Sequence, residues 1–224
     1  MEPEVQKLLH AFFGQFNLEL FAKGETIAAP ANGKIFFLTK GVVKMLGISK
    51  KEEGLTLNIY KAYSLFPIPL IFDMQNKYTF ISLTKTQGYF APKKDFTKFI
   101  IKNPTILLDL LKRIYRGLDG FYMLSETLLS KDAFHRVLTQ LIIYARRFGQ
   151  KNNDIITFDW PLTHRQLASQ TGLARESVTR QIKKLQNKGL VGYSGKKLYV
   201  HDLSKLEEEF TSYNPIENYP LDKL

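Results

Sequence analysis

The chain has 224 residues, 44% of them hydrophobic and 24% charged, which is enough for a globular core, and it has no cysteine. The missing thiols exclude disulfides, iron–sulfur clusters, thiolate zinc sites and thiol redox sensing. The net charge of +11 points to a polyanionic partner, and the excess is localised: residues 131–203 hold 13 Lys/Arg against 5 Asp/Glu.

Val5 to Phe16 reads as a short amphipathic helix. From Leu18 to about Pro92, short β-rich runs alternate with Gly, Pro and Asn. They are Lys34–Thr39, Val42–Leu46, Leu55–Tyr60, Tyr78–Leu83 and Gly88–Ala91. Many short strands at regular spacing predict a sandwich, roll or barrel, with Gly33 and Gly41 at turns that need positive φ. Lys93 to Asn103 is predicted helical, and Pro104 suits the first turn of a longer helix running to Ser130. Along it Leu111, Ile114, Leu118, Phe121, Ser125 and Leu128 recur at spacings of 3, 4, 3, 4 and 3, a coiled-coil seam that predicts a homodimer. The competing reading is a helix packed on its own domain. Leu107, Leu108 and Leu110 offer a second apolar edge for the roll, and Gly117 and Gly120 weaken the helix locally.

Ser130-Lys131-Asp132 reads as a hinge, with Asp132 capping a helix from Ala133 to Phe148. Gly149 to Asn153 is a polar turn, and Thr211 to Leu224 is a tail of little periodicity.

The segment from Leu162 to Val191 carries the most specific signal. Thr163 caps a helix that buries Leu167 and Ala168, Gly172 makes a tight turn, and a second helix starts at Ala174. That helix buries Val178, Ile182 and Leu185 and presents Arg175, Glu176, Thr179, Arg180 and Lys183. Gly189 ends it as a left-handed cap. Two short strands, Leu190–Tyr193 and Lys197–Val200, flank Ser194-Gly195-Lys196 as a wing whose Gly195 amide and Lys196 charge suit a phosphate. The chemistry of the exposed face suits the major groove of duplex DNA. Arginine pairs bidentately with guanine, glutamate accepts from cytosine N4, and the N-terminal end of a recognition helix reaches base edges. Without the turn, the wing and the basic domain, the same charges would read as a solvated helix with an internal Glu176–Arg180 pair.

These residues resemble the CRP/FNR family of bacterial transcription regulators, most closely in "GLARESVTRQIKKL" and more loosely in "FAKGETI", "IFFLTKGVVKML" and "FAPKKDFTKFI". The family usually has an apolar residue where this chain has Gln181, and Ile182 is expected to carry that packing. The resemblance implies base contacts by Arg175, Glu176 and Arg180 on a half-site similar to TGTGA, and a phosphate contact at Thr163. Ser177, Thr179, Lys183, Gly195 and Lys196 complete the expected DNA-binding set. The resemblance further implies a homodimer on an inverted-repeat operator, with RNA polymerase as protein partner.

The family's cyclic-nucleotide phosphate cassette has Gly-Glu followed by Arg-Ser/Thr. Leu65 to Thr79 has no Gly-Glu, and Tyr78 stands in place of the arginine, so cAMP control is not expected. A haem sensor of the family uses a histidine in the roll, and Ile27 to Phe99 contains none. His10, His135, His164 and His201 lack metal-ligand spacing, so no cofactor or metal is expected. Tyr60, Lys61, Tyr63 and Tyr78 are pocket candidates for a small effector, although core and surface roles suit each better. The effector is not identified by sequence, and a small ligand, a protein partner or constitutive activity all fit.

The expected architecture is α+β: an N-terminal antiparallel β-roll (1–103, a cyclic-nucleotide-binding-like jelly roll), a long dimerisation helix (104–130), a C-terminal winged helix-turn-helix (131–210) and a tail (211–224). No apolar run reaches the roughly 18 residues of a membrane span, and Met1-Glu2-Pro3-Glu4 does not read as a signal peptide, which predicts a cytoplasmic protein. An enzyme is not expected, since no nucleophile–base pair or Walker-type loop is present. The rival reading is a ligand or protein-partner sensor with a vestigial DNA-binding domain.

Overall fold

The computed structural model describes residues 1–28, 33–47, 55–129, 132–153 and 155–213. The chain divides into two compact units, Met1–Arg113 and Ile114–Leu224.

The first unit opens with α1 (Pro3–Phe13), which has proline at its first position and Glu4 in its first turn, and buries Val5, Leu9 and Phe13 at four-residue spacing. Strands follow as β1 (Leu18–Phe21), β2 (Thr26–Ala28), β3 (Lys34–Lys40), β4 (Val42–Gly47), β5 (Leu55–Lys61), β6 (Leu65–Phe66), β7 (Thr79–Ser82) and β8 (Thr86–Pro92). They form two antiparallel four-stranded sheets, ordered β1-β8-β3-β6 and β2-β7-β4-β5. The expected roll is thus present. Strands β1, β2 and β6 lie outside the expected runs, because their two to four residues are too short for a period to register.

Strand β3 explains the roll's solidity. Ile35, Phe36, Phe37 and Leu38 are all fully buried, because successive side chains enter different cores. Phe36 and Leu38 join Ile27, Val43, Phe66 and Phe80. Ile35 and Phe37 join α1, α2 (Lys93–Lys102, through Phe96 and Ile100) and the start of α3 (Pro104–Leu129). Gly41 turns β3 into β4 at φ 101°, and a Cβ there would lie 2.6 Å from Lys85 O, so only glycine fits.

The expected leucine edge of α3 needs correction. Ile106 and Leu110 enter the roll's core, whereas Leu108 is exposed and Leu107 half-buried. The helical phase decides this: residues 106 and 110 share a face, and 108 lies about 200° around from 106. Arg113 fastens the same stretch, pairing with Asp109 at 2.8 Å and donating through Nη1 to Tyr63 O at 2.8 Å.

In the second unit, α4 (Ala133–Phe148) is capped as expected by Asp132, whose carboxylate accepts from Phe134 N at 2.9 Å. Ser130 and Lys131 of the expected hinge lie outside the described residues. Arg136 Nη2 donates to Leu128 O, capping the end of α3. The polar segment after α4 is a hairpin strand rather than a plain turn: β9 (Gln150–Asn152) pairs with β10 (Ile155–Thr157), and Asn153 takes φ 56°. All three β9 residues are exposed, so the strand carries no hydrophobic alternation for a sequence reading to find. Helices α5 (His164–Thr171) and α6 (Arg175–Asn187), strands β11 (Val191–Ser194) and β12 (Lys197–Val200), and helix α7 (Leu203–Tyr213) complete the unit. The sheet order is β11-β12-β10-β9. Helix α7 was not anticipated. It is anchored by Leu206 and Phe210, and it takes in Thr211–Tyr213 of the expected tail. Residues 214–224 lie outside the described residues.

Candidate nucleic-acid interface

Thr163 closes a capping box at the start of α5. Its Oγ1 accepts from Gln166 N at 3.2 Å, and Gln166 Oε1 accepts from Thr163 N at 3.1 Å. Leu167 is buried as expected, while Ala168 is only half-buried. Gly172 ends α5 in the left-handed region at φ 67°, where a β-carbon is strained. Ala174 then serves as N-cap of α6, so Arg175 is the first residue of the helix.

Helix α6 buries Val178, Ile182 and Leu185. Gln181 is buried beside Ile182 rather than replaced by it, and among the described residues its Oε1 has no hydrogen-bond partner. Arg175, Glu176, Thr179, Arg180 and Lys183 are all exposed, and Ser177 is half-buried. No ion pair joins Glu176 to Arg180 among the described residues; Arg180 Nη2 instead donates to Ser177 Oγ at 3.3 Å. The helix closes on Gly189 at φ 69° in a Schellman arrangement, with Leu190 N donating to Leu185 O and Gly189 N to Gln186 O.

The wing is the β11–β12 hairpin, in which Ser194 pairs with Lys197 across the two-residue loop Gly195-Lys196. Gly195 has φ 60°, as a tight turn with glycine first requires, and residues 194–197 are exposed. Lys196 therefore sits at the exposed tip of the hairpin.

His164 was missed as a functional residue. Its ring bridges α6 and the wing, with Nδ1 2.8 Å from Thr179 Oγ1 and Nε2 2.5 Å from Tyr193 OH. Burial, and then the nearby Arg175 charge, lower its pKa, while burial raises that of Tyr193. These partners lie 15 and 29 residues away in sequence, beyond any local pattern.

On α3 the expected seam residues Leu111, Ile114, Leu118, Phe121 and Leu128 are 38–62% exposed, and Ser125 donates to Phe121 O at 2.8 Å. A second column at seven-residue spacing, Leu108, Tyr115, Tyr122 and Leu129, is 56–85% exposed. Residues seven apart drift only slightly around a helix, so each set forms a stripe.

Inside the roll, aromatic rings pack on one another between the sheets. Phe66 and Phe80 stack at 4.5 Å, Tyr60 lies 5.1 Å from Phe66, and Phe36 lies 5.3 Å from Phe66 and 4.7 Å from Phe90. Tyr60 is therefore a core ring. Tyr63 packs on His10 and Phe37, and Tyr78 is half-buried against the same ring cluster as Tyr60, its N–H donating to Asn76 Oδ1 at 3.2 Å. Among the described residues no cluster of three or more His, Cys, Asp or Glu could hold a metal.

A β-roll, a long helix with an open apolar face and a winged helix-turn-helix together define a DNA-binding transcription regulator. Residues 135–209 match the family of Crp-like helix-turn-helix domains. The HTH-type transcriptional regulator ycf28 of Porphyra purpurea is 30% identical over 206 residues, covering 90% of this chain and 87% of that protein. The global nitrogen regulator of Nostoc sp. (strain PCC 7120 / SAG 25.82 / UTEX 2576) is 27% identical over 199 residues, 87% of this chain and 89% of its own. In three dimensions, a CooA mutant from Carboxydothermus hydrogenoformans shares the fold at TM-score 0.73 and 19% identity, over 89% of this chain and 90% of that one. The chain belongs to the CRP/FNR family of transcriptional regulators, a family of regulators rather than enzymes. No helix among the described residues is long and apolar enough to cross a membrane.

Proposed function

We propose that the protein works as a cytoplasmic homodimer that reads an inverted repeat without cAMP. The supporting observation is the co-presentation of Arg175, Glu176 and Arg180 on one exposed face of α6, next to an exposed wing bearing Lys196. Arg175 and Arg180 suit guanine, and Glu176 suits cytosine N4, on a half-site similar to TGTGA. Thr163, Ser177, Lys183, Gly195 and Lys196 serve the phosphates, and Thr179, whose hydroxyl proton goes to the Arg175 carbonyl, lines the groove edge. The seam Leu111, Ile114, Leu118, Phe121, Ser125 and Leu128 joins two copies, widened by the Leu108–Leu129 column. Two recognition helices then meet half-sites about one turn, roughly 34 Å, apart. RNA polymerase is the protein partner of the DNA-bound dimer. Aromatic packing in the roll, with Tyr78 where a phosphate-binding arginine would stand, supports control without a cyclic nucleotide.

Selection from random duplexes tests the reading. Enrichment of a palindrome is expected, and failure to enrich any overturns it. On the enriched site, Arg175→Ala should relax preference at one position of each half-site by about 1–3 kcal/mol of discrimination. Equal loss on specific and random DNA would remove Arg175 from base reading.

A further inference from the structure

His164 occupies the first position of α5, and its ring reaches both the recognition helix and the wing. The directions of its bonds follow from one commitment. Thr179 Oγ1 already donates its proton to Arg175 O at 2.9 Å. Toward His164 that oxygen can only accept, so Nδ1 carries the imidazole proton. In the neutral ring Nε2 is then the acceptor, and the Tyr193 hydroxyl donates to it. The result is a directed chain from the wing strand to the first turn of α6: Tyr193 O–H to His164 Nε2, His164 Nδ1–H to Thr179 Oγ1, and Thr179 O–H to the Arg175 carbonyl. Burial and the Arg175 charge favour the neutral ring, and burial keeps Tyr193 protonated, so both settings agree with the chain.

We propose that His164 is a positioning residue for DNA recognition, locking the wing strand β11 to the recognition helix α6 so that Lys196 and Arg175 meet the duplex in one fixed register. This rests on the proposed reading by Arg175, Glu176 and Arg180. Helix α6 packs through Val178, Ile182 and Leu185, which set its depth and tilt but are apolar and tolerate small rotations. The His164 chain supplies a directional restraint at the end that carries Arg175. Base reading by a bidentate arginine depends on angle, whereas a phosphate contact by a flexible lysine does not. Loosening the chain should therefore reduce specific binding more than non-specific binding.

The test uses the full-length protein, fluorescence anisotropy on specific and random duplexes at one salt concentration, and thermal unfolding. H164N places an amide nitrogen near the Nδ1 position and keeps the bond to Thr179. H164Q places an amide oxygen near the Nε2 position and keeps the bond from Tyr193. H164L fills space and keeps neither. H164L is expected to lower specific affinity about tenfold, with a loss of under about threefold on random DNA. H164N and H164Q should each fall between H164L and wild type. Y193F should match H164N, and the double variant should be no worse than either alone. Long-range proton–nitrogen NMR should find the His164 proton on Nδ1. Specific affinity at wild-type level in H164L, equal losses on both duplexes, additive losses in H164N/Y193F, or a proton on Nε2 would overturn the proposal. Should H164L fold poorly, the single-bond variants H164N, H164Q and Y193F decide it alone. Arg175→Ala on the same duplexes is the separate control. Unchanged base preference there would sink the reading assignment, whereas the tautomer and the Y193F coupling report on His164 alone.

Discussion

Thr163 is predicted to do two jobs that one substitution can pull apart. Its Oγ1 accepts from Gln166 N, which caps α5, and leaves the hydroxyl proton for a DNA phosphate. In Thr163→Asp the carboxylate caps at least as well as threonine, and its charge at a helix N-terminus adds about 0.3–1 kcal/mol. The melting temperature should hold or rise, by up to about 4 °C for a unit of this size. On DNA the same change removes a hydrogen bond to a charged group, worth about 1.5–3 kcal/mol. It also sets two negative charges about 4 Å apart, costing about 1 kcal/mol in water and more where water is excluded. A conservative sum of about 2.5 kcal/mol per half-site is roughly 70-fold, and a dimer meets it twice. Thr163→Ala should behave differently, losing about 1 kcal/mol of stability together with the phosphate bond. Anisotropy titrations paired with thermal melts read both axes. Binding by Thr163→Asp within about threefold of wild type would show that no phosphate approaches Thr163, and a clear fall in its melting temperature would show that the cap reasoning is wrong.

Three further outcomes are expected. Leu118→Asp places a charge in the centre of the seam and should give monomers by sedimentation and loss of palindrome binding, with the monomer still folded because Leu118 is 41% exposed; an intact dimer would remove α3 from the interface. Both His164 and His135 have lowered pKa values, each chiefly through burial, so the unfolded chain binds protons first as the pH falls. Stability of the second unit is therefore fully present above the unfolded histidine pKa of about 6.5 and is lost as pH falls through the folded values. A melting temperature that stays flat or rises between pH 7 and 5 would contradict this, and H164Q should shrink the drop by removing one of the two groups. Saturating cAMP should leave melting and DNA affinity unchanged, whereas a ligand at 100 times its Kd would add about 2.7 kcal/mol, so a shift of several degrees would overturn the cAMP-independent reading.

Local signals made the recognition unit legible. The turn at Gly172, the cap at Gly189 and the wing at Gly195 all follow from one residue type whose backbone geometry is special, and α4 starts where the Asp132 carboxylate caps it. The cap at Thr163 is equally local, since its partner Gln166 lies three residues away. The exposure of Arg175, Glu176, Thr179, Arg180 and Lys183 on α6 follows from the helical period once Val178, Ile182 and Leu185 are placed inside. What escaped was non-local or short. Strand β9 has no buried face, and β6 has two residues. Leu108 was misplaced because a run of leucines does not say which of them faces the core. His164 gave no signal at all: nothing about one histidine in a capping turn specifies a threonine on the next helix and a tyrosine on the wing.

The bonds described at the proposed reading face are intramolecular. The Thr163 box orients the start of α5, the Schellman closure at Gly189 fixes the end of α6, and the His164 chain ties α6 to the wing. The proposed seam lies on a different element, α3, just past Ile106 and Leu110, which enter the roll's core, and beside Arg113, which holds the Tyr63 carbonyl. Half-site sequence preference should then be a property of the single protomer, and half-site spacing a property of the pair. Changes at His164 or Arg175 should alter what each half-site must be, and changes at Thr163 only how tightly any half-site is held, without altering the distance between half-sites. Changes along Leu111 to Leu128 should do the reverse. A seam variant that kept its spacing but preferred a different half-site would mean that the two properties are not separable, and that the dimer interface shapes the reading face itself.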